Sequence, residues 1–218
     1  MQIDIHTHRL HPRTSLKEVL TVDAAGSNAE RRIALLDGEN LFKSLGIHPW
    51  SASKWNLDEF PQLKNDFLDS KVLLIGEIGL DKTCPVSLDT QKLIFNTQLD
   101  MAQQVVKPII LHVVHTMAEI LESKKEHPGI PAWIIHGFRG GKQEAEQYIK
   151  KEFYLSFGAK FNPAGLKACP MDKLFLETDE SDEGIGAIYE RAANILECSV
   201  ADLEVQIERN FCTVFRKE

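Results

Sequence analysis

The sequence predicts an α/β protein. Short apolar runs recur along the chain, longer amphipathic stretches separate them, and the runs are continuous rather than alternating. Continuous apolar runs suit strands buried on both faces of a parallel sheet, which needs helical crossovers between its strands. The expected strands lie near Ile3–Ile5, Val19–Val22, Phe42–Ile47, Val72–Gly76, Pro108–Leu111, Trp133–Ile135, Phe153–Phe157 and Leu174–Leu176. Eight strands with crossovers suggest a TIM-like (β/α)8 barrel, which typically takes about 250 residues. At 218 residues the chain is short for it. The same pattern also suits a doubly wound sheet, and spacing alone does not choose between them.

The longest helical pattern runs from Asp89 to Val106, with Phe95, Leu99, Ala102 and Val106 on one face. Asp89 is the expected cap, because its carboxylate can take the free N–H groups of the first turn. Towards the C-terminus Ile188, Ala192 and Ile195 form one stripe. Leu203, Ile207 and Phe211 form another, with Ser199 as the expected cap. No linker-like segment or repeat interrupts residues 1–218, so one domain is expected.

Composition narrows the function classes. Hydrophobic residues are 43% and charged residues 26%, which excludes a disordered or fibrous chain. No apolar run is long enough for a bilayer, so no membrane partner is expected. The net charge is −7 and basic residues cluster only in pairs such as Lys124-Lys125, which disfavours a general nucleic-acid binder. Cys84, Cys169, Cys198 and Cys212 form no C-x-x-C motif, and Met1-Gln2-Ile3-Asp4 lacks the features of a secretion signal. A cytoplasmic, acidic monomer with free thiols is the expectation.

The ionisable residues fall where a barrel would use them. Ile3-Asp4-Ile5 runs into His6-Thr7-His8, and Leu45-Gly46-Ile47 into His48. Glu77, His112 and His136 each follow an apolar run, and Phe175-Leu176 leads to Glu177-Thr178-Asp179. Catalytic residues of α/β barrels sit at strand C-termini. Imidazole with carboxylate is the donor set of zinc, iron or manganese, and a carboxylate-rich version accepts magnesium. His6 and His8, two apart on an extended segment, face the same side. A single His after a strand is more often a hydrogen-bonded structural residue. Five of the eight histidines at strand ends, with two acids, point instead to a metal centre. His11 and His127, in loop-like sequence, are read as structural, and His115 either faces the site or begins a helix. Asp4 is read as a backbone hydrogen-bonding partner, and Glu177 as lying behind the ligands. Asp81 either orients a ligand His or caps a loop. Trp50 and Trp55 either stack on substrate or close the barrel mouth.

Taken in order, the motifs resemble one family. Asp4-Ile5-His6-Thr7-His8, Gly46-Ile47-His48-Pro49, Gly76-Glu77-Ile78-Gly79-Leu80-Asp81, Ile110-Leu111-His112, Ile135-His136-Gly137-Phe138, Leu155-Ser156-Phe157-Gly158 and Glu177-Thr178-Asp179 resemble the TatD family of metal-dependent hydrolases. Gln91, Phe95, Gln98, Leu99 and Ala102, and later Asn210 and Phe215, extend the likeness almost end to end. D-x-H-x-H also opens other phosphoesterases; Glu77 within G-E-I-G-L-D, followed by E-T-D, is more specific.

The resemblance implies a TIM-like barrel and two divalent ions (Mg, Mn or Zn). It assigns His6, His8 and Asp179 to one ion and His112 and His136 to a second, with Glu77 bridging. Glu77 and Asp179 would be catalytic, His48 would contact the substrate phosphate, and Asp81 would orient a ligand. The implied reaction is phosphodiester hydrolysis by a metal-activated water, as in deoxyribonucleases. Two departures weaken DNA as the partner. Val114, followed by His115, stands where relatives carry an Arg. The acidic Glu180-Ser181-Asp182-Glu183 replaces a loop that ends in an Arg-Asn pair. Arg139, Lys142 or Lys160 either compensates or is a solvated surface charge. The alternative is a hydrolase of a small phosphoester, ester or amide that has lost its DNA surface. A non-enzymatic barrel is disfavoured by the complete ligand set.

Overall fold

The computed structural model describes residues 1–11, 15–26 and 40–215. All eight expected strands form: β1 (Gln2–Thr7), β2 (Leu16–Asp23), β3 (Leu41–Gly46), β4 (Val72–Asp81), β5 (Ile109–Val114), β6 (Trp133–Ile135), β7 (Tyr154–Phe157) and β8 (Leu174–Leu176). They make one eight-stranded sheet in sequence order. Every described register is parallel. That order belongs to a (β/α)8 barrel; a doubly wound sheet would permute it. The helices are α1 (Phe60–Phe67), α2 (Leu88–Val105), α3 (Met117–Glu126), α4 (Lys142–Ile149), α5 (Pro163–Ala168), α6 (Ile185–Leu196) and α7 (Val200–Phe215). Among the described residues, no helix is long and apolar enough to cross a membrane. The backbone divides into two compact units, Met1–Leu20 with Ile134–Glu218, and Thr21–Trp133.

In the first unit β1 is buried along nearly its whole length, with Ile3 and Ile5 in the core. Its end is sewn to the segment after β8. The Asp179 N–H donates to the His6 carbonyl at 2.9 Å, and the His8 N–H donates to the Asp179 carbonyl at 3.2 Å. Tyr189 on α6 anchors the start of β1. Its hydroxyl accepts the Ile3 N–H and donates to the Ile3 carbonyl, both at 3.1 Å. Burial pushes that phenol up in pKa, so it stays a neutral donor. Leu203, Ile207 and Phe211 on α7 are buried as expected, and the Ser199 hydroxyl accepts the Asp202 N–H at 3.1 Å as its cap. Asn210 on the same helix donates to the carbonyls of Met171 (2.7 Å) and Leu174 (2.8 Å), holding the entry to β8.

In the second unit α2 buries Phe95, Leu99 and Ala102, as its spacing predicts. Two expectations for this helix are corrected. Ser87 is the cap, its hydroxyl accepting the Thr90 N–H at 3.2 Å; Asp89 lies inside the first turn, where its charge suits the helix dipole. Val106 is not on the buried face. It sits past the helix end at φ 53°, 58% exposed, because Pro108 forbids continuation.

β4 runs to Asp81 instead of stopping at Gly76, so Glu77 lies within the strand. Gly76 (φ +156°) and Gly79 (φ +147°) make this possible. A Cβ on Gly79 would run into the carbonyl oxygen of His112, and one on Gly76 into Ile110. The strand pair is closer at these points than side chains permit, and the β4–β5 register shifts between Ile75 and Ile78.

Tyr189→Phe leaves the Ile3 N–H and carbonyl buried and unpaired. It should lower stability by about 1–3 kcal/mol, read as a shift in the urea midpoint at unchanged m-value.

Candidate metal centre

Each unit carries a carboxylate flanked by two imidazoles. In the first unit the carboxylate is Asp179. Its Oδ1 lies 3.6 Å from His6 Nε2 and 3.6 Å from His8 Nε2. His6 and His8 project to the same side from β1 and the residue just after it, with ring centroids 5.2 Å apart. His136, from the end of β6, lies against His6 at 4.4 Å between centroids. Asp179 is at φ 55°, a left-handed conformation that Asp tolerates better than most residues.

In the second unit the carboxylate is Glu77, only 6% exposed. Its Oε1 lies 2.8 Å from His112 Nδ1 and 3.3 Å from His48 Nε2. His48 opens a short 3-10 helix (Pro49–Lys54), and its Nδ1 accepts the Trp50 N–H at 3.2 Å. An imidazole nitrogen that accepts carries no proton, so in the neutral ring the proton sits on Nε2, facing Glu77.

Both clusters have metal-ligand spacing. The donor atoms of His6, His136 and Asp179 all lie within 4.8 Å of one another, and so do those of His48, Glu77 and His112. Nitrogen and carboxylate oxygen converging in this way fit zinc or manganese. The structure thus groups His136 with His6 and Asp179, while the family resemblance would pair it with His112.

A further carboxylate stands behind an imidazole in each unit. Asp81 Oδ2 lies 3.0 Å from His112 Nε2, leaving Nδ1 for Glu77 or an ion. Asp81 is buried, which raises its pKa, but hydrogen bonds from Thr83, Trp50 and His112 outweigh burial and hold it well below the usual carboxylate range. Glu177 Oε1 faces His136 Nδ1 at 3.3 Å and accepts the Gly137 N–H at 2.7 Å. Asp4 is fully buried and accepts from the Thr178 N–H (3.0 Å) and hydroxyl (2.6 Å), tying β1 to the E-T-D segment. Burial, only partly offset by these bonds, pushes its carboxyl up to about 7.

Other histidines resolve plainly. His127 is buried, with Nδ1 2.8 Å from the Ser123 carbonyl. His11 lies 3.4 Å from Glu18. His115 is exposed at φ 57°, just after β5. Trp50 donates its ring N–H to Asp81 at 2.8 Å, and Trp55 is buried.

Several braces are absent from the sequence reading. Gln98 on α2 accepts the Ile47 N–H at 2.7 Å and donates to its carbonyl at 3.2 Å, fixing the residue before His48. Gln91 does the same for Asp81, at 2.8 and 3.0 Å. Two glutamines seven apart on the apolar face of an amphipathic helix are the available signal. Asp23, at the end of β2, accepts from the Ser51 hydroxyl at 2.5 Å and the His48 N–H at 3.4 Å. Nothing in its neighbouring sequence marks that role.

Comparisons with known proteins place the chain in a family. The family model for TatD related DNase matches residues 6–216. A Bacillus subtilis protein named "Uncharacterized metal-dependent hydrolase YabD" is 34% identical over 149 residues, covering 64% of this chain and 58% of the relative. A Cronobacter sakazakii protein named "3'-5' ssDNA/RNA exonuclease TatD" is 30% identical over 152 residues, covering 65% and 57%. The matched stretch is thus less than two thirds of either relative's length. The crystal structure of the TatD homolog YjjV from Escherichia coli superposes with a TM-score of 0.83 at 22% identity, covering 100% of this chain and 98% of that one. A hydrolase TatD family protein from Entamoeba histolytica gives 0.79 at 17% identity, covering 98% and 97%. These likenesses show the fold, a TIM-like (β/α)8 barrel of eight parallel strands. With a model matched from His6 through the end of α7, the chain belongs to the TatD related DNase family.

Proposed function

We propose that the protein is a divalent-metal-dependent hydrolase that cleaves phosphodiesters by activating water. The observation that carries this reading is a carboxylate with imidazole in reach in each unit, Asp179 with His6 and His8, and Glu77 with His112. The proposed ligands are His6, His8, Glu77, His112, His136 and Asp179. When bound, two divalent ions supply an ionised water and offset charge growing on the phosphoryl oxygens. Mg, Mn and Zn are all compatible with the donors.

The chain's own groups do the rest. Asp179 accepts the proton of the attacking water and orients it. Glu77 holds a negative charge in a buried position, which only nearby cations or donors make tolerable. His48 is the proposed contact to the scissile phosphate. Its Nε2 proton, fixed by the bond that Nδ1 accepts, makes it a donor to a phosphoryl oxygen and a poor ligand. Asp81 and Glu177 fix the rings of His112 and His136.

DNA is one candidate substrate, in keeping with the exonuclease name of a relative. A second reading, a small phosphoester, is favoured by Val114 in place of a family Arg, by the exposed His115 beside it, and by the net charge of −7.

Chelator-stripped protein should regain hydrolysis of bis-p-nitrophenyl phosphate when Mg, Mn or Zn is added back. Glu77→Ala should lose activity by roughly 10²-fold or more while keeping its circular-dichroism spectrum. Retained activity with normal metal content would overturn the assignment. Single-stranded DNA assayed alongside separates the two substrate readings. Asp81→Asn, which keeps shape but removes charge behind His112, should weaken Zn binding by roughly 10–100-fold in competition with a chelating dye.

A further inference from the structure

We propose that Trp50 is a specificity-determining platform beside Glu77 and His112, selecting phosphoesters that carry a planar aromatic group on an ester oxygen over alkyl phosphoesters. The inference deepens the hydrolase reading and rests on it for the place of the scissile phosphate.

The chain has three tryptophans, and they differ in exposure. Trp55 and Trp133 are buried, whereas Trp50 is 50% exposed. Single exposed apolar residues are ordinary, and Leu57, Leu93 and Val106 of the same unit are as open. Trp50 differs from them in being tied to the site. Its ring N–H donates to Asp81 Oδ2 at 2.8 Å, and the same oxygen lies 3.0 Å from His112 Nε2. One carboxylate oxygen thus stands between the indole and a proposed metal ligand. The Trp50 backbone N–H donates to His48 Nδ1 at 3.2 Å, the bond that leaves the other nitrogen of that ring for a phosphate.

The groups that hold the indole are themselves held. Asp81 Oδ1 accepts the Thr83 N–H at 2.7 Å and the Thr83 hydroxyl at 2.6 Å. Pro49, the residue before Trp50, has its φ fixed by its ring, and its carbonyl accepts the Cys84 S–H at 3.7 Å. The ring N–H is the only polar group an indole has, and Asp81 engages it. What the side chain offers to solvent is therefore an aromatic hydrocarbon surface. A ring pinned at its polar edge loses little freedom when a second ring stacks on it.

A phosphate in contact with His48 and with ions at Glu77 and His112 brings its ester substituents beside this surface. A planar aromatic substituent gains ring-on-ring contact and buries more apolar area there than an alkyl group does. Because one shared oxygen separates the indole from His112, the group within its reach is the one joined to the ester oxygen itself. Bracing Asp81 would need only the N–H of Trp50. Selecting an aryl group needs the ring, so the two roles separate on substitution.

The test is calorimetric binding of 4-nitrobenzylphosphonate and ethylphosphonate, in which a methylene replaces the ester oxygen, to the full, metal-loaded chain. The aryl ligand should bind roughly 10-fold tighter. It should also quench tryptophan fluorescence along the same isotherm, since Trp55 and Trp133 are buried. Trp50→Ala, checked for native circular dichroism and metal content, should bind the two ligands equally and lose the quenching. Trp50→Phe, which keeps a ring and gives up the N–H, should retain most of the preference, and Leu57→Ala all of it. No preference in the wild type, no binding of either ligand, a preference that survives in Trp50→Ala, or one lost as fully in Trp50→Phe as in Trp50→Ala would each overturn the platform. A wild type that prefers the aryl ligand yet hydrolyses no phosphodiester with any metal would keep the platform and sink the hydrolase reading. Hydrolysis of bis-p-nitrophenyl phosphate without that preference would do the reverse.

Discussion

Burying carboxylates near the ends of strands is the constraint on which most of this molecule depends. Asp4, Glu77, Asp81 and Glu177 are each almost wholly out of water. An isolated carboxylate in such a place costs far more than any single contact returns. Each is therefore given donors. Thr178 serves Asp4, Thr83 and Trp50 serve Asp81, and the Gly137 N–H serves Glu177. Glu77 is served by imidazoles. The donors come from neighbouring strands or strand-end loops, so satisfying the charges also fixes the loops that carry the site.

The backbone makes room for this arrangement. Gly76 and Gly79 let β4 press against β5 where side chains would collide, and the strand continues to Asp81. Glu77 and Asp81 then lie four residues apart on one strand, the same side in strand geometry. His112 is held between them, one nitrogen towards each. α2 supports the same strand from behind with Gln91, and the turn before His48 with Gln98. An amide satisfies both backbone groups of one residue at once, which suits a residue at a strand end, such as Asp81, or just past one, such as Ile47.

The strands were legible because parallel strands buried on both faces leave continuous apolar runs, and all eight form where expected. The candidate residues were legible because they follow those runs. The end of β4 was not, since Gly76 reads as a breaker in sequence and acts as a spacer in the fold. Ser87 and Asp89 are equally good caps on paper, and only the hydroxyl's geometry decides. Val106 fits the apolar period of α2, but Pro108 ends the helix first. Beyond the pair His6 and His8, which histidines share a cluster is not written in spacing. His136 lies beside His6 although 130 residues separate them in the chain, because sheet closure, not local pattern, sets that neighbour.

The backbone exchange between the His6–His8 segment and Asp179 has a consequence for assembly. These partners are far apart in the sequence, so their contact closes a long loop, whose entropy cost must be met before the contact repays it. During synthesis, His6 and His8 emerge early and wait for most of the polypeptide to follow. Under the proposed ligand set, a nascent chain offers imidazoles first, and the carboxylate of Asp179 arrives only after β8. Tight binding of an ion in the first unit would then wait for completion of the sheet.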